Sequence, residues 1–415
     1  MHLQHNALAL AALLVPALAV QVPLRLTPQS HSQDYKFDAL LHLPGISPYF
    51  DAIGSGLDHT APRHCEVTAA SYLIRHAAIY ANDDDYENYI EPFINKLDST
   101  YSSDPPYYLF SGKRRKGWKG SLAFFSKWKN PIDDPENQME KITPQGIIDS
   151  RKVGKHLLSR YPNLVPTTKR IYADKKSRTK DTAKAFVQSF PQDVEVVEIN
   201  LNRSSFHAQD PHKACKAFSK EPGQEEQGRF MSFYTQPIIQ RLQPQSPVQL
   251  TQTDIMGMQQ LCGQGEGEIP DDDGQRFFLA FTHREVPPFI ATALGLFNSS
   301  NAHAEEFPTD RINWSRSWRM AELIPFLGHV GIEKLTCHAA STDPEDGHEY
   351  IRIIANSAPR PIPSCQDGPG ASCSFHKFEE IVGRGMEEYG DFDGICKNND
   401  DDDDDDDGKE KKADL

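Results

Sequence analysis

Cys65-Glu-Val-Thr-Ala-Ala-Ser-Tyr-Leu-Ile74, followed at once by Arg75-His76, is the stretch on which the fold turns. Its β-branched and aromatic residues predict a strand ending at Arg75-His76. A second stretch, Phe277-Phe-Leu-Ala-Phe-Thr282, is continuously apolar and stops at His283. Such a run suits a strand covered on both faces of a parallel sheet.

Between them the periodicity changes from two to about 3.6. Tyr86, Ile90, Phe93, Ile94 and Leu97 recur at helical spacing. Thr143-Pro144 predicts a helix start, with Ile147, Leu157, Leu158 and Tyr161 facing inward and Gly154 permitting close approach. Arg170 to Ala173 predicts a short strand, Asp174 to Arg178 a loop, and Ala183, Phe186, Val187 and Phe190 another helix. A helical pattern from Ile290 to Phe297 follows His283. Alternating strands and helices predict an α/β fold: a parallel-type sheet with helices on both faces. Helical insertions fall at roughly 82–140 and 200–270, the latter rich in Gln, Glu, Asp and Pro. In such sheets ligands bind beyond the carboxyl ends of the strands. That rule singles out Arg75, His76 and His283, with Arg178 in the loop after a third strand.

Composition narrows the class. The 415 residues carry a net charge of −15, part of it in the run Asp400 to Asp407. A general nucleic-acid binder needs the opposite sign. Residues 1–19 predict a signal peptide: Ala7 to Val20 is apolar and Ala17-Leu18-Ala19 suits cleavage. The run is short for a membrane span. Export makes the seven cysteines candidates for disulfides, and spacing alone leaves the connectivity open. The sequons Asn202, Asn298 and Asn313 are candidate glycosylation sites. Residues 399–415 predict a solvated acidic tail. Its end, Lys412-Ala413-Asp414-Leu415, leaves retention in the endoplasmic reticulum as the alternative to secretion.

Two histidines with arginines at equivalent strand ends suit phosphoryl transfer without a metal or cofactor. An imidazole can attack phosphorus, and guanidinium groups hold phosphate oxygens through paired donors. No G-x-S-x-G elbow, P-loop, HExxH or CxxC motif is present. Gly263-x-Gly265-x-Gly267 lies among carboxylates and reads as a solvated loop. Lys113-Arg114-Arg115-Lys116 with Trp118, Lys119, Lys127, Trp128 and Lys129 reads either as a solvated loop or as a landing surface for a polyanion.

The segments Cys65-x-Val-Thr…Arg75-His76, Thr143-Pro144-x-Gly146, Tyr172 to Phe190 and Phe281-Thr-His283 resemble the fungal phytase-like branch of the histidine acid phosphatases. The resemblance covers roughly residues 60 to 396. It implies a histidine phosphatase fold over about 20–398 and a phosphorylated small molecule as substrate, with inositol phosphates among the candidates. It implies His76 as nucleophile and Arg75, Arg178 and His283 as phosphate ligands. It also implies the pairs Cys65–Cys337, Cys215–Cys396 and Cys365–Cys373, leaving Cys262 unpaired. The sequence departs from the family's R-H-G-x-R-x-P: Ala77, Ile79 and Ala81 replace glycine, the second arginine and proline. The usual aspartate after the second histidine is Arg284. His283-Arg284-Glu285 is similar instead to the H-A-E motif of multiple inositol polyphosphate phosphatases. By that likeness Glu285 supplies the proton to the leaving group and Arg284 replaces the cation missing at Ile79. Two readings follow: a working phosphomonoester hydrolase, or a pseudophosphatase that binds phosphorylated ligands without turnover.

Overall fold

The computed structural model describes residues 43, 45–52, 54, 56–101, 115–199, 211–219, 222–262, 277–297, 307–311, 313, 316–338, 347–391, 394 and 396. The signal peptide, Asn202, Asn298, Lys113-Arg114, the 263–267 glycines and the acidic tail lie outside them.

Among the described residues eight strands form one sheet: β1 (Cys65–Arg75), β2 (Arg170–Ala173), β3 (Glu195–Glu198), β4 (Phe277–Thr282), β5 (His329–His338), β6 (Gly347–Ala355), β7 (Ala358–Pro359) and β8 (Cys373–Ser374). The order is β3-β2-β4-β1-β5-β6-β7, with β8 beside β6. β3, β2, β4 and β1 run parallel. β5, β6, β7 and β8 join antiparallel, so the sheet is mixed rather than parallel throughout. β4 lies between β2 and β1; Phe277, Leu279 and Phe281 on one face are essentially inaccessible, Ala280 and Thr282 on the other are buried too, and Phe278 alone in the strand is exposed, at 52 %. That is the physical reason its sequence shows no polar alternation.

Helices cover both faces. The helices Pro144–Arg160 and Ser177–Val187 pack Leu157, Leu158, Ala183 and Phe186 against Tyr72, Ile74, Phe277 and Phe281. Gly154 sits where a Cβ would meet Ser189 Oγ at 2.5 Å. On the opposite face, Ile351, Ile353 and Ala355 pack with Ala291, Phe375 and Ile381, whereas Ile354 belongs to the first core. The split follows from the alternation of side chains along a strand.

A separate apolar cluster joins Phe93 and Leu97 to Leu122, Phe125 and Leu250, with Ile239, Leu242 and Met258 against it. It is built from the helices Glu91–Asp98, Gln224–Leu242 and Gln252–Cys262 and the turn Gly120–Ser126. Arg115 and Trp118 belong to this cluster's structure. Arg115 is 4 % exposed, bonds Trp128 O at 2.6 Å and pairs with Asp98 at 2.7 Å. Within the aromatic–basic stretch, Arg115 and Trp118 thus hold this cluster, while Lys116, Lys119, Lys127 and Lys129 stay exposed.

Under the first core lies a polar knot. Glu333, fully buried, accepts from Arg352 Nε and Tyr161 Oη at 2.6 Å and from Arg160 Nε at 3.1 Å. Disulfides join Cys65 to Cys337, Cys215 to Cys396 and Cys365 to Cys373. The first links residues paired directly across β1 and β5.

Candidate active site

The parallel pairing brings three strand ends together. Arg75 on β1 is level with Thr282 on β4, and Ala173 on β2 with Phe281. The next residues, His76, His283 and Asp174, therefore emerge side by side. His76 N–H donates to Thr282 O at 3.0 Å and Asp174 N–H to Phe281 O at 3.1 Å, extending the ladders past the strands. Asp174 obeys the same strand-end rule that marks the two histidines, although an acid beside a phosphate site is unexpected.

His76 is 4 % exposed, and its ring lies 5.9 Å from that of His283. Its Nδ1 is 2.9 Å from Ala77 O. A carbonyl oxygen only accepts, so Nδ1 carries the proton and Nε2 holds a lone pair whenever the ring is neutral. Burial, then the nearby Arg75 and Arg178 charges, push the imidazole well below its ordinary pKa. Both effects favour the neutral ring, in which Nε2 keeps its lone pair.

Arg75 is 3 % exposed, stacks on Phe326 at 4.3 Å, and donates through Nη1 to Gly45 O and to Ile324 O at 2.8 Å. Its buried Nε has no protein partner. Burial, then Arg284, lower its pKa to about 9. A buried guanidinium held at one edge by carbonyls, with a donor left over, is equipped to receive an anion.

Arg178 stands in the first turn of the helix Ser177–Val187, not in the preceding loop. Thr179 Oγ1 donates to Asp174 O at 2.8 Å and ties that turn directly to the end of β2. Arg178 pairs with Glu140, a residue with φ 62°. His283 is 3 % exposed, and its Nε2 lies 2.8 Å from both Asp174 Oδ2 and Lys213 Nζ. Lys213 is also 3.1 Å from Asp174. Burial alone raises a carboxyl's pKa, but the His283 hydrogen bond and the Lys213 ammonium outweigh it and keep Asp174 ionised. Lys213 and His212 come from the short helix Pro211–Ala214, next to disulfide-bonded Cys215. No periodicity marks that polar segment, so sequence reading had no signal for either residue.

Glu285 stands at the N-cap position of the helix Val286–Ala293 without a side-chain capping bond, and meets Arg284 Nε at 3.3 Å. Burial pushes its pKa up, but Arg284 more than offsets this, and the pKa lies below the usual value. Arg284 lines one pocket with Arg75, Ile79, Asp85, Gln260 and Phe326. The side chain of Ile79 is 7 % exposed and packs with Phe326, Ile46 and Ile142, so an apolar contact occupies the family's second arginine position. Asn313 is half-buried, apart from this group.

Two histidines at adjacent parallel strand ends, with arginines beside them, are the arrangement expected of a histidine phosphatase, and the family model of the histidine phosphatase superfamily, branch 2, matches residues 66–267. Among its curated relatives, a phytase of Candida albicans is 22 % identical across 89 % of this chain and 88 % of its own length. An acid phosphatase of Komagataella pastoris is 23 % identical across the same shares. The phytase from D. castellii superposes with a TM-score of 0.70 over 90 % of this chain and 92 % of its own at 18 % identity, a likeness of fold. The family places the chain among phosphomonoester hydrolases.

Proposed function

We propose that this chain hydrolyses phosphomonoesters through a covalent phosphohistidine on His76. The observation that carries the reading is the His76 Nδ1 contact with Ala77 O, which fixes the tautomer and leaves Nε2 to attack. Arg75, Arg178, His283 and Arg284 hold the phosphoryl oxygens and offset their charge. Nε2 bonds to phosphorus as the ester P–O bond breaks, and Glu285 gives its proton to the departing alkoxide. Water then attacks the phosphohistidine, Glu285 takes back a proton, and inorganic phosphate leaves with His76 restored. The residues themselves supply nucleophile, cations and proton, and the steps call on no metal or cofactor.

Glu285 is the decisive group. General acid catalysis contributes about 10²- to 10⁴-fold, and the permanently charged guanidinium of Arg284 cannot supply it. The Glu285 carboxyl is held ionised by Arg284, so its protonated fraction grows as pH falls. The expected activity has an acidic optimum. Glu285→Gln is expected to slow alkyl phosphates about 100-fold and aryl phosphates far less, since phenolate leaves without protonation. Equal losses on both, measured as kcat at acidic pH, would remove Glu285 from this role. A wild-type chain inert to every phosphomonoester would establish the binding-only reading instead.

The same proposal places the enzyme outside the cell. The predicted leader and the three disulfides support export, because such bonds persist in oxidising compartments. No helix among the described residues is long and apolar enough to cross a membrane.

A further inference from the structure

Beside Glu285 lies an aromatic group that the phosphate site does not use. Phe289 is four residues after Glu285 on the same helix, so the two share a face. Phe289 and Phe218 stay 36 % and 37 % exposed, with ring centroids 5.8 Å apart in an edge-to-face arrangement. His212 connects this pair to the site, its ring 5.9 Å from Phe218, 6.5 Å from Phe289 and 6.1 Å from His283.

Charge at the site points the same way. Arg178 pairs with Glu140, Arg284 with Glu285, and Lys213 with Asp174. Arg75, by contrast, is held by backbone carbonyls. Three of these four cations therefore already face a carboxylate. Such a balance accommodates one phosphate and gives little to a substrate carrying several.

We infer that Phe218 and Phe289 form the wall against which the leaving group lies, and that the site selects monophosphate esters of aromatic alcohols over inositol polyphosphates. The inference rests on the phosphatase reading above for the side of the site from which the alcohol leaves. An aryl ring packed edge-to-face on such a pair gains about 0.5–1.5 kcal/mol beyond the area it buries. That corresponds to roughly a tenfold preference when burial is added.

Non-hydrolysable phosphonates test the preference without turnover. Calorimetry at acidic pH is expected to show phenylphosphonate binding about tenfold tighter than methylphosphonate, and phytate binding more weakly than phenylphosphonate. In Phe289→Ala and Phe218→Ala the phenyl-to-methyl ratio is expected to fall to about twofold, and Phe289→Leu should retain part of it. An unchanged ratio in both alanine variants, or phytate binding tighter than phenylphosphonate, overturns the inference. A wild-type phenyl preference in a chain that forms no phosphohistidine would sink the hydrolase reading and leave this one standing. Failure of the wild-type chain to bind either phosphonate would end both.

Discussion

At the scale of single residues, the account depends on which groups carry charge when phosphate arrives. Arg284 and Ile79 line the same pocket, so the cation supplied after β4 and the apolar side chain after β1 face one volume. A hydrogen bond to a charged group contributes about 1.5–3 kcal/mol. Arg284→Ala is therefore expected to raise KM for a simple phosphomonoester by about 10- to 100-fold. An unchanged KM would show that Arg75 and Arg178 hold the phosphate unaided. His76, His283 and Arg75 stood out in the sequence because strand-end position and residue type pointed to them together, whereas Glu285 stood out only through its likeness to the H-A-E motif. Asp174 satisfied the positional rule but not the expected charge. His212 and Lys213 satisfied neither, since they reach the site through a short helix placed by long-range contacts.

Secondary-structure elements explain how the loop after β1 stays in place. Thr143 caps the helix Pro144–Arg160, accepting from Gly146 N–H at 2.9 Å, while its own N–H donates to Ala78 O at 2.9 Å. A Cβ on Gly146 would lie 2.5 Å from that carbonyl and 3.3 Å from the Ala77 Cβ. Both contacts are to the segment that orients His76. Gly146→Ala is expected to cost about 1–3 kcal/mol, as overpacking does, and to lower kcat more than it raises KM. Denaturant unfolding and steady-state kinetics together check this; a fully stable, fully active variant would deny that the helix start positions the nucleophile. Strong patterns made β1, β4 and the helices Pro144–Arg160 and Ser177–Val187 readable. The antiparallel half was not, because β5 buries His329, Gly331 and Glu333 on the face opposite Val330 and Ile332, and β7 and β8 have only two residues each.

Across the whole molecule, buried titratable groups link stability to pH. His329 is fully buried, stacked on Tyr49 at 5.4 Å, and bonded through Nδ1 to Leu327 O at 3.0 Å. Burial lowers its pKa from 6.5 to about 4. The unfolded chain therefore takes up this proton first as pH falls. The stability due to His329 is complete above about pH 6.5 and is lost progressively towards about pH 4. One such group gives a slope of up to about 1.4 kcal/mol per pH unit. His329→Gln, which can keep the donor to Leu327, is expected to flatten the fall in unfolding free energy between these limits by about one proton. An unaltered slope would assign the acid sensitivity elsewhere.

The central claim is that His76 becomes phosphorylated and that the altered motifs still work. Its most direct measurement is an alkaline quench of the wild-type chain during turnover of an aryl phosphate, followed by peptide mass spectrometry under conditions that preserve phosphohistidine. The account predicts an acid-labile phosphoryl group on the peptide carrying His76, at Nε2, and none in His76→Ala that retains its fold. Turnover without that adduct, or with wild-type rates in His76→Ala, would contradict it.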